Sequence, residues 1–288
     1  MRIIEKLSST RPSFSFEFFP PKDEAGTEQL FRTIAELAPY EPSYVSVTWG
    51  AGGSTRRLTV DLVCRIQREV GIESMAHLTC VGASREEIGL VLDLLRAGGI
   101  DNVLALRGDP PRGQTDFVKT DGGFEHADEL IGFIRQNYDF CLAAACYPEK
   151  HPEACDAAND LVNLKRKVDA GADFLITQLF FEPADYFEFV KRARAAGIEK
   201  PILAGIMPIT NLSQIKRFTA MCGTRIPEPL LFELEAAGED PEKVRQIGIE
   251  HATKQCRALL DAGVPGVHFY TLNRSPSTKR VLEALRRQ

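Results

Sequence analysis

The chain has 288 residues, of which 44% are hydrophobic and 26% charged, so it carries enough apolar material for a sizeable core. Its formal net charge of -5 argues against a binder of phosphate polymers, since nucleic-acid proteins usually show a basic excess. No apolar run approaches the roughly 18 residues of a membrane span, and Met1-Arg-Ile-Ile-Glu-Lys6 lacks the apolar core of a secretory signal. A cytoplasmic protein with neither nucleic-acid nor membrane partners is expected.

Taken in chain order, short hydrophobic runs alternate with stretches of helical periodicity. The run Phe14–Phe18 precedes a helix over Gln29–Leu37, and Ser43–Thr48 precedes one over Thr55–Val70. Met75–Cys80 leads to Arg85–Ala97, and Asn102–Leu106 leads to Ala127–Asn137. The runs Phe140–Tyr147, Phe174–Phe180 and Ile202–Met207 lead to Asp156–Ala170, Ala184–Ala195 and Leu212–Met221. Pro241–Ala262 then precedes the last run, Val267–Thr271. Ser84 and Asp185 or its neighbours are candidate caps, and Gly71, Gly98-Gly99, Gly171, Gly197, Gly223 and Gly263 are expected to stop helices.

Most strand-like runs end in a polar residue: Glu17, Thr48, His77, Arg107 with Asp109, Tyr147, Gln178 and Tyr270. The seventh, ending Met207-Pro208, does not. Eight β-then-α units close naturally into a (β/α)8 TIM barrel, a single α/β domain over residues 1–288, with its site at the C-terminal ends of the strands. An open doubly wound sheet is the rival. Against it, Gly50-Ala-Gly-Gly-Ser-Thr55 lacks the third glycine of a dinucleotide fingerprint, and no G-x-x-x-x-G-K occurs. That loop is either a flexible βα turn or a backbone that lets a flat ligand approach.

Alternation along the first strand puts Phe14, Phe16 and Phe18 on one face and Ser15 and Glu17 on the other, which points Glu17 into a barrel. Among aromatics its pKa should rise, making it a candidate general acid; the competing reading is a buried carboxylate paired with a barrel arginine. Arg107-Gly-Asp109-Pro-Pro111 puts a guanidinium and a carboxylate at a strand end, as an ion pair or as ligand machinery. His77 taken alone reads as a satisfied core histidine. Asp160, Asn163 and Lys167 share one helix face with Arg166 beside it, either a solvated stripe or a clamp for hydroxyls and phosphates. Seven cysteines without a C-x-x-C pair read as reduced thiols, no metal-ligand spacing is present, and no G-x-S-x-G marks a serine nucleophile.

Read together, Phe16-Glu-Phe-Phe-Pro-Pro21, Val45-Ser-Val-Thr-Trp-Gly-Ala51, His77-Leu-Thr-Cys80, Leu104-Ala-Leu-Arg-Gly-Asp109, Tyr147-Pro-Glu149, His151-Pro-Glu-Ala154, Asn163-Leu-Lys-Arg-Lys-Val-Asp-Ala-Gly-Ala172, Ile176-Thr-Gln178 and His268-Phe-Tyr-Thr-Leu-Asn-Arg274 resemble the bacterial methylenetetrahydrofolate reductases across nearly the whole chain. The resemblance implies the catalytic barrel alone, without the regulatory domain of eukaryotic enzymes. It also implies FAD-dependent reduction of 5,10-methylenetetrahydrofolate to 5-methyltetrahydrofolate, with NADH or NADPH as co-substrate in a ping-pong reaction that feeds methionine synthesis. Glu17 would be the general acid, and Asp109 would contact the pterin and tune the flavin. Gln178 would contact both folate and nicotinamide, Gln214 and Arg274 would help hold folate, and Phe218 would offer a stacking surface. FAD would be held by Trp49, Ala51, His77, Arg107, Gly108, Asp109, His126, Tyr147, His151, Ala154, Asp160, Asn163, Arg166 and Lys167, with Thr48 near the nicotinamide. Trp49 and His126 stand where the family usually has tyrosine. A homo-oligomer is implied, with a tetramer as one candidate. Competing readings are a pterin-binding methyl-transfer barrel without flavin, and a catalytically silent binding subunit.

Overall fold

The computed structural model describes residues 1–10, 12–49, 56–109, 117–238 and 240–287. The glycine-rich loop 50–55, with Ala51, lies outside the described residues. Strands β1 (Ser13–Phe18), β2 (Tyr44–Val47), β3 (Ser74–Thr79), β4 (Asn102–Leu106), β5 (Cys141–Cys146), β6 (Phe174–Thr177), β7 (Ile202–Ile206) and β8 (Gly266–Tyr270) form a closed barrel in sequence order. Every neighbouring pair is parallel, and β1 closes on β8 with Glu17 opposite Tyr270. The expected (β/α)8 barrel is therefore the fold, and each predicted run contains its strand or overlaps most of it.

The helices are α1 (Ile3–Ser9), α2 (Glu24–Leu37), α3 (Arg56–Arg65), α4 (Arg85–Ala97), α5 (Ala127–Asn137), α6 (Ala157–Asp169), α7 (Pro183–Ala195), α8 (Leu212–Cys222), α9 (Glu228–Ala237), α10 (Pro241–Asp261) and α11 (Pro276–Arg286). Ser84 caps α4 through a reciprocal box with Glu87, as its spacing predicts. Asp185 does not cap: α7 begins at Pro183 after Glu182, which makes no side-chain cap bond. The sequence reading misses α1, α9 and α11. The last two open on Pro229 and Pro276 in their first turns, where proline is pre-organised for a helix yet reads as a loop signal.

The main apolar core lies between sheet and helices and takes Phe16, Phe18, Val45, Val47 and Trp49 from the outward faces of the first two strands. Burying each large side chain there contributes about 1.5–3 kcal/mol. A second cluster fills the lower barrel interior with Tyr44, Met75, Leu104, Phe174 and Leu203, and α1 plugs it with Ile3 and Leu7. Asn102 fastens that plug: its Oδ1 accepts from Ile3 N at 2.7 Å, and its Nδ2 donates to Met1 O and Glu73 Oε1 at 3.2 and 2.9 Å.

Candidate active site

Strand alternation turns Ser15 and Glu17 inward, and barrel closure brings His77 of β3 and His268 of β8 to the same carboxylate. His268 Nε2 lies 3.3 Å and His77 Nε2 lies 3.4 Å from Glu17 Oε2. His268 Nδ1 is 2.7 Å from Ser15 Oγ and 3.4 Å from Tyr44 OH, and its ring stacks on Tyr44 with centroids 5.7 Å apart. Glu17 thus pairs with two imidazoles; the barrel arginine considered from sequence is not its partner.

The expected rise in the Glu17 pKa is overturned. Burial is the largest influence and does push the carboxyl up. The charge of His77, the hydrogen bond from His268 and the charge of His268 together outweigh it and hold Glu17 below the ordinary value. The phenylalanines of β1 point outward and do not surround it. Burial pushes His77 down to about 4, so at neutral pH this ring faces Glu17 uncharged and the contact with His268 holds the carboxylate. His77 is no satisfied core histidine, because its buried Nε2 has no hydrogen-bond partner.

The backbone at this end is fastened by the turn after β8. Thr271 Oγ1 donates to Glu17 O at 2.6 Å, while Asn273 Nδ2 donates to Phe19 O at 2.8 Å and its Oδ1 accepts from Phe19 N at 2.7 Å. The turn holds Leu272 and Asn273 at φ 52° and 58°. Asparagine visits this left-handed region readily and leucine does not, so the two-way clamp on Phe19 offsets a strained turn beside the acid. Arg274, next in the chain, is exposed at the rim.

Around the rim, Arg107 and Asp109 do not pair with each other. Arg107 instead donates two hydrogen bonds to Glu153, and its guanidinium lies 5.1 Å from the Phe117 ring centroid. Asp109 is exposed. Gly108 has φ +88°, and an added Cβ would fall 2.9 Å from both Thr79 Cβ and Val81 Cγ1, so glycine is required between them. Beyond β5, His151 N donates to Asp160 Oδ2 at 3.0 Å, Glu153 N donates to His151 Nδ1 at 3.1 Å, and the Tyr147 and His151 rings meet edge to face at 4.7 Å. Ala154 closes this loop, donating to His151 O and accepting from Lys150 Nζ.

On α6, Asp160 and Lys167 are half-buried, Asn163 and Arg166 exposed. Lys167 Nζ donates to Ala145 O at 2.6 Å, and burial lowers its pKa. Exposed His126 precedes α5, and its carbonyl accepts from Cys80 Sγ at 3.5 Å. Thr48 N donates to Phe18 O at 2.9 Å at the end of β2. Gln214 and Phe218 are half-buried, one turn apart on α8. Gln178 follows β6, its N–H donating to Cys146 O at 2.7 Å.

Buried His77 Nε2, Trp49 Nε1 and Thr79 Oγ1 lack partners near the ends of β2 and β3, and side-chain-free Gly108 packs against Thr79. Half-buried Asp160 and Lys167 stand across β5. Unspent polar atoms, a close backbone approach and a mixed-charge helix face fit a flat, polar-tailed cofactor. Sequence reasoning missed Ser15, Tyr44, His268, Glu153 and Asn273 as residues organising the site. For Ser15 and His268, the available signal was the period-two spacing from Glu17 and Tyr270.

A parallel eight-stranded barrel that gathers a buried carboxylate, two imidazoles and unsatisfied polar atoms at its C-terminal rim is laid out as a barrel enzyme. The family model for methylenetetrahydrofolate reductase matches residues 2–286, and the chain belongs to that family. It is 43% identical over 297 residues to methylenetetrahydrofolate reductase (NADH) 1 of Zea mays, covering 98% of this chain and 50% of that protein. It is 39% identical over 272 residues to the 5,10-methylenetetrahydrofolate reductase of Salmonella typhimurium, covering 94% and 90%. The chain thus spans about half the length of the plant relatives. An uncharacterized protein from Clostridium thermocellum that binds two copies of 5-methyl-5,6,7,8-tetrahydrofolic acid shares the fold, with a TM-score of 0.60 at 12% identity over 98% of this chain and 97% of that one. Among the described residues no helix is long and apolar enough to cross a membrane.

Proposed function

We propose that this chain reduces 5,10-methylenetetrahydrofolate to 5-methyltetrahydrofolate with NADH or NADPH as donor, by a ping-pong reaction that feeds methionine synthesis. The observation that carries this reading is Glu17, buried at the barrel mouth with the imidazoles of His268 and His77 at 3.3 and 3.4 Å from its carboxylate, in a chain of this family. The donor named for the maize relative favours NADH.

FAD would be held by Thr48, Trp49, His77, Arg107, Gly108, Asp109, His126, Tyr147, His151, Ala154, Asp160, Asn163, Arg166 and Lys167, with Ala51 in the loop outside the described residues. When bound, it would accept hydride from the nicotinamide and pass it on from N5. The chain's own residues supply the rest. Glu17 protonates folate N10 to open the five-membered ring to a 5-iminium cation. Because its surroundings hold Glu17 below the ordinary carboxyl value, it must take up a proton before it can act as the acid. Asp109 at the exposed rim would contact the pterin, Gln178 would contact both folate and nicotinamide, Gln214 would help hold folate, Phe218 would offer a stacking surface, and Arg274 would pair with the folate carboxylates. The functional unit would be a homo-oligomer in the cytoplasm.

The test is anaerobic absorbance of the purified, FAD-loaded protein. Bleaching of the flavin band by NADH or NADPH and its recovery on adding methylenetetrahydrofolate are the expected results. A protein that takes up no flavin would sink this reading and favour methyl transfer or a binding role. Lys167→Ala with Arg166→Ala should weaken FAD retention; unchanged flavin content would remove both from the clamp.

A further inference from the structure

The sequence leaves one strand without a polar end, and the structure shows what replaces it. A Cβ added to Gly205 of β7 would lie 2.2 Å from Thr177 O and 2.8 Å from both the ring and the hydroxyl of Tyr270. No side chain fits there. Tyr270 of β8 passes over this gap, across β7, and donates to Thr177 O of β6 at 2.6 Å.

That carbonyl is free for Tyr270 because the β6–β7 ladder stops early. Pairing covers Leu175 with Ile202 and Ile176 with Leu203. At the next position Gly205 N donates to the Thr177 side chain, Oγ1, at 2.9 Å. The peptide joining Thr177 to Gln178 is one rigid plane. Tyr270 holds its C=O, and Cys146 O accepts its N–H at 2.7 Å. A plane pinned on both edges fixes the direction in which Gln178 leaves the backbone. The Gln178 side chain is then set between Leu179 N, from which its Oε1 accepts at 2.8 Å, and Tyr147, to which it is hydrogen-bonded. The Tyr270 ring also meets His268 edge-on at 5.6 Å and 88°.

We propose that Tyr270, seated over Gly205, is a positioning residue that orients Gln178 and so sets the affinity of the shared folate and nicotinamide subsite. This rests on the reductase reading, in which Gln178 contacts both ligands. Tyr270 acts through the backbone it pins, and burial holds its hydroxyl well above the ordinary pKa and so protonated, as a donor to Thr177 O.

The experiment measures dissociation constants for 5-methyltetrahydrofolate and NADH, with saturating rates, on the FAD-loaded wild type, Tyr270→Phe, Gln178→Ala and the double variant. Tyr270→Phe keeps the ring and removes one hydrogen bond, so both dissociation constants should rise about tenfold while the saturating rate falls much less. In the Gln178→Ala background the same change should add nothing. A merely structural tyrosine would lower the melting temperature and leave both affinities alone, and that result overturns the proposal. So does full multiplication of the two single effects. Gly205→Ala, which pushes Tyr270 from its seat, should reproduce the weakened binding; if it does not fold, the hydroxyl cycle still decides. Loss of affinity in Gln178→Ala with none in Tyr270→Phe sinks this proposal alone, whereas a wild type that binds neither ligand sinks the reductase reading with it.

Discussion

The two ends of this barrel treat most of their polar atoms differently, with Ser13 Oγ at the floor an unpartnered exception. At the floor, Asn102 spends its amide on Met1, Ile3 and Glu73, and the amino terminus lies 2.9 Å from Asp101 and 3.2 Å from Glu73. At the mouth, His77, Thr79 and Trp49 keep buried polar atoms without partners, and Leu272 and Asn273 sit at positive φ. A buried unsatisfied group costs about 1–3 kcal/mol, so such atoms persist where a ligand will use them or where the rest of the fold offsets them. The floor is built for stability and the mouth for chemistry.

The sharpest way to break that division is to alter the mouth's acid. Glu17→Gln keeps the side chain's shape but has no ionisable proton. It should still allow flavin reduction by nicotinamide while slowing transfer to methylenetetrahydrofolate by about 10²–10⁴-fold, the usual range for a general acid. Stopped-flow measurement of each half-reaction reads this directly. If both halves run at the wild-type rate, the proton comes from elsewhere.

The matching change at the floor should do the reverse. Asn102→Ala leaves Ile3 N and Glu73 Oε1 without their partner, at a cost of about 2–4 kcal/mol in urea unfolding. Turnover below the melting transition should stay at the wild-type level. A variant that keeps its stability, or loses activity while folded, would show that the two ends are not separable in this way.

Between these extremes lies a pH effect. The folded-state pKa of His77 is near 4 against 6.5 for the free group, and that of Glu17 is also lowered. In both cases the unfolded chain takes up its proton first as pH falls. The stability that His77 supplies is therefore complete above about pH 6.5 and is lost progressively toward pH 4, whereas that of Glu17 is complete above its ordinary value of 4.5 and is lost only below it. For His77 the loss is on the order of 3 kcal/mol. His77→Asn, which has no titrating ring, should flatten the fall of the urea midpoint between pH 7 and pH 4; an unchanged slope would place the pH sensitivity in other groups.

How much of this was legible follows from the distance over which each feature is encoded. Strand spans and glycine helix stops are local, and Gly71, Gly99, Gly171, Gly197, Gly223 and Gly263 all have positive φ. Glu17 was legible because alternation within one strand suffices to turn it inward. Its environment was not, because the sequence shows it beside Phe16 and Phe18, whereas its neighbours in space, His77 and His268, arrive from strands 60 and 251 residues away. The same limit hid the Arg107–Glu153 pair and made Arg107 and Asp109, adjacent along the loop, look like partners. The seventh run, ending Met207-Pro208, reads in sequence as a strand with a missing polar end, because the Tyr270 ring that crosses it over Gly205 comes from β8, far along the chain.

The smallest effect concerns Trp49, and it asks whether the mouth's unspent atoms are waiting for a ligand. Its ring is 8% exposed and packs in the main core, while Nε1 has no partner. Trp49→Phe removes the unsatisfied N–H together with part of the ring. Relief of one cost offsets loss of the other, so stability should change by only about 1 kcal/mol. If Nε1 is held for the cofactor, the dissociation constant for FAD should still rise a few-fold, as expected for a single neutral hydrogen bond of about 1 kcal/mol. Unchanged FAD affinity with unchanged stability would make Trp49 a packing residue whose N–H the fold tolerates, and would shift the burden of cofactor binding at this edge to His77 and Thr79.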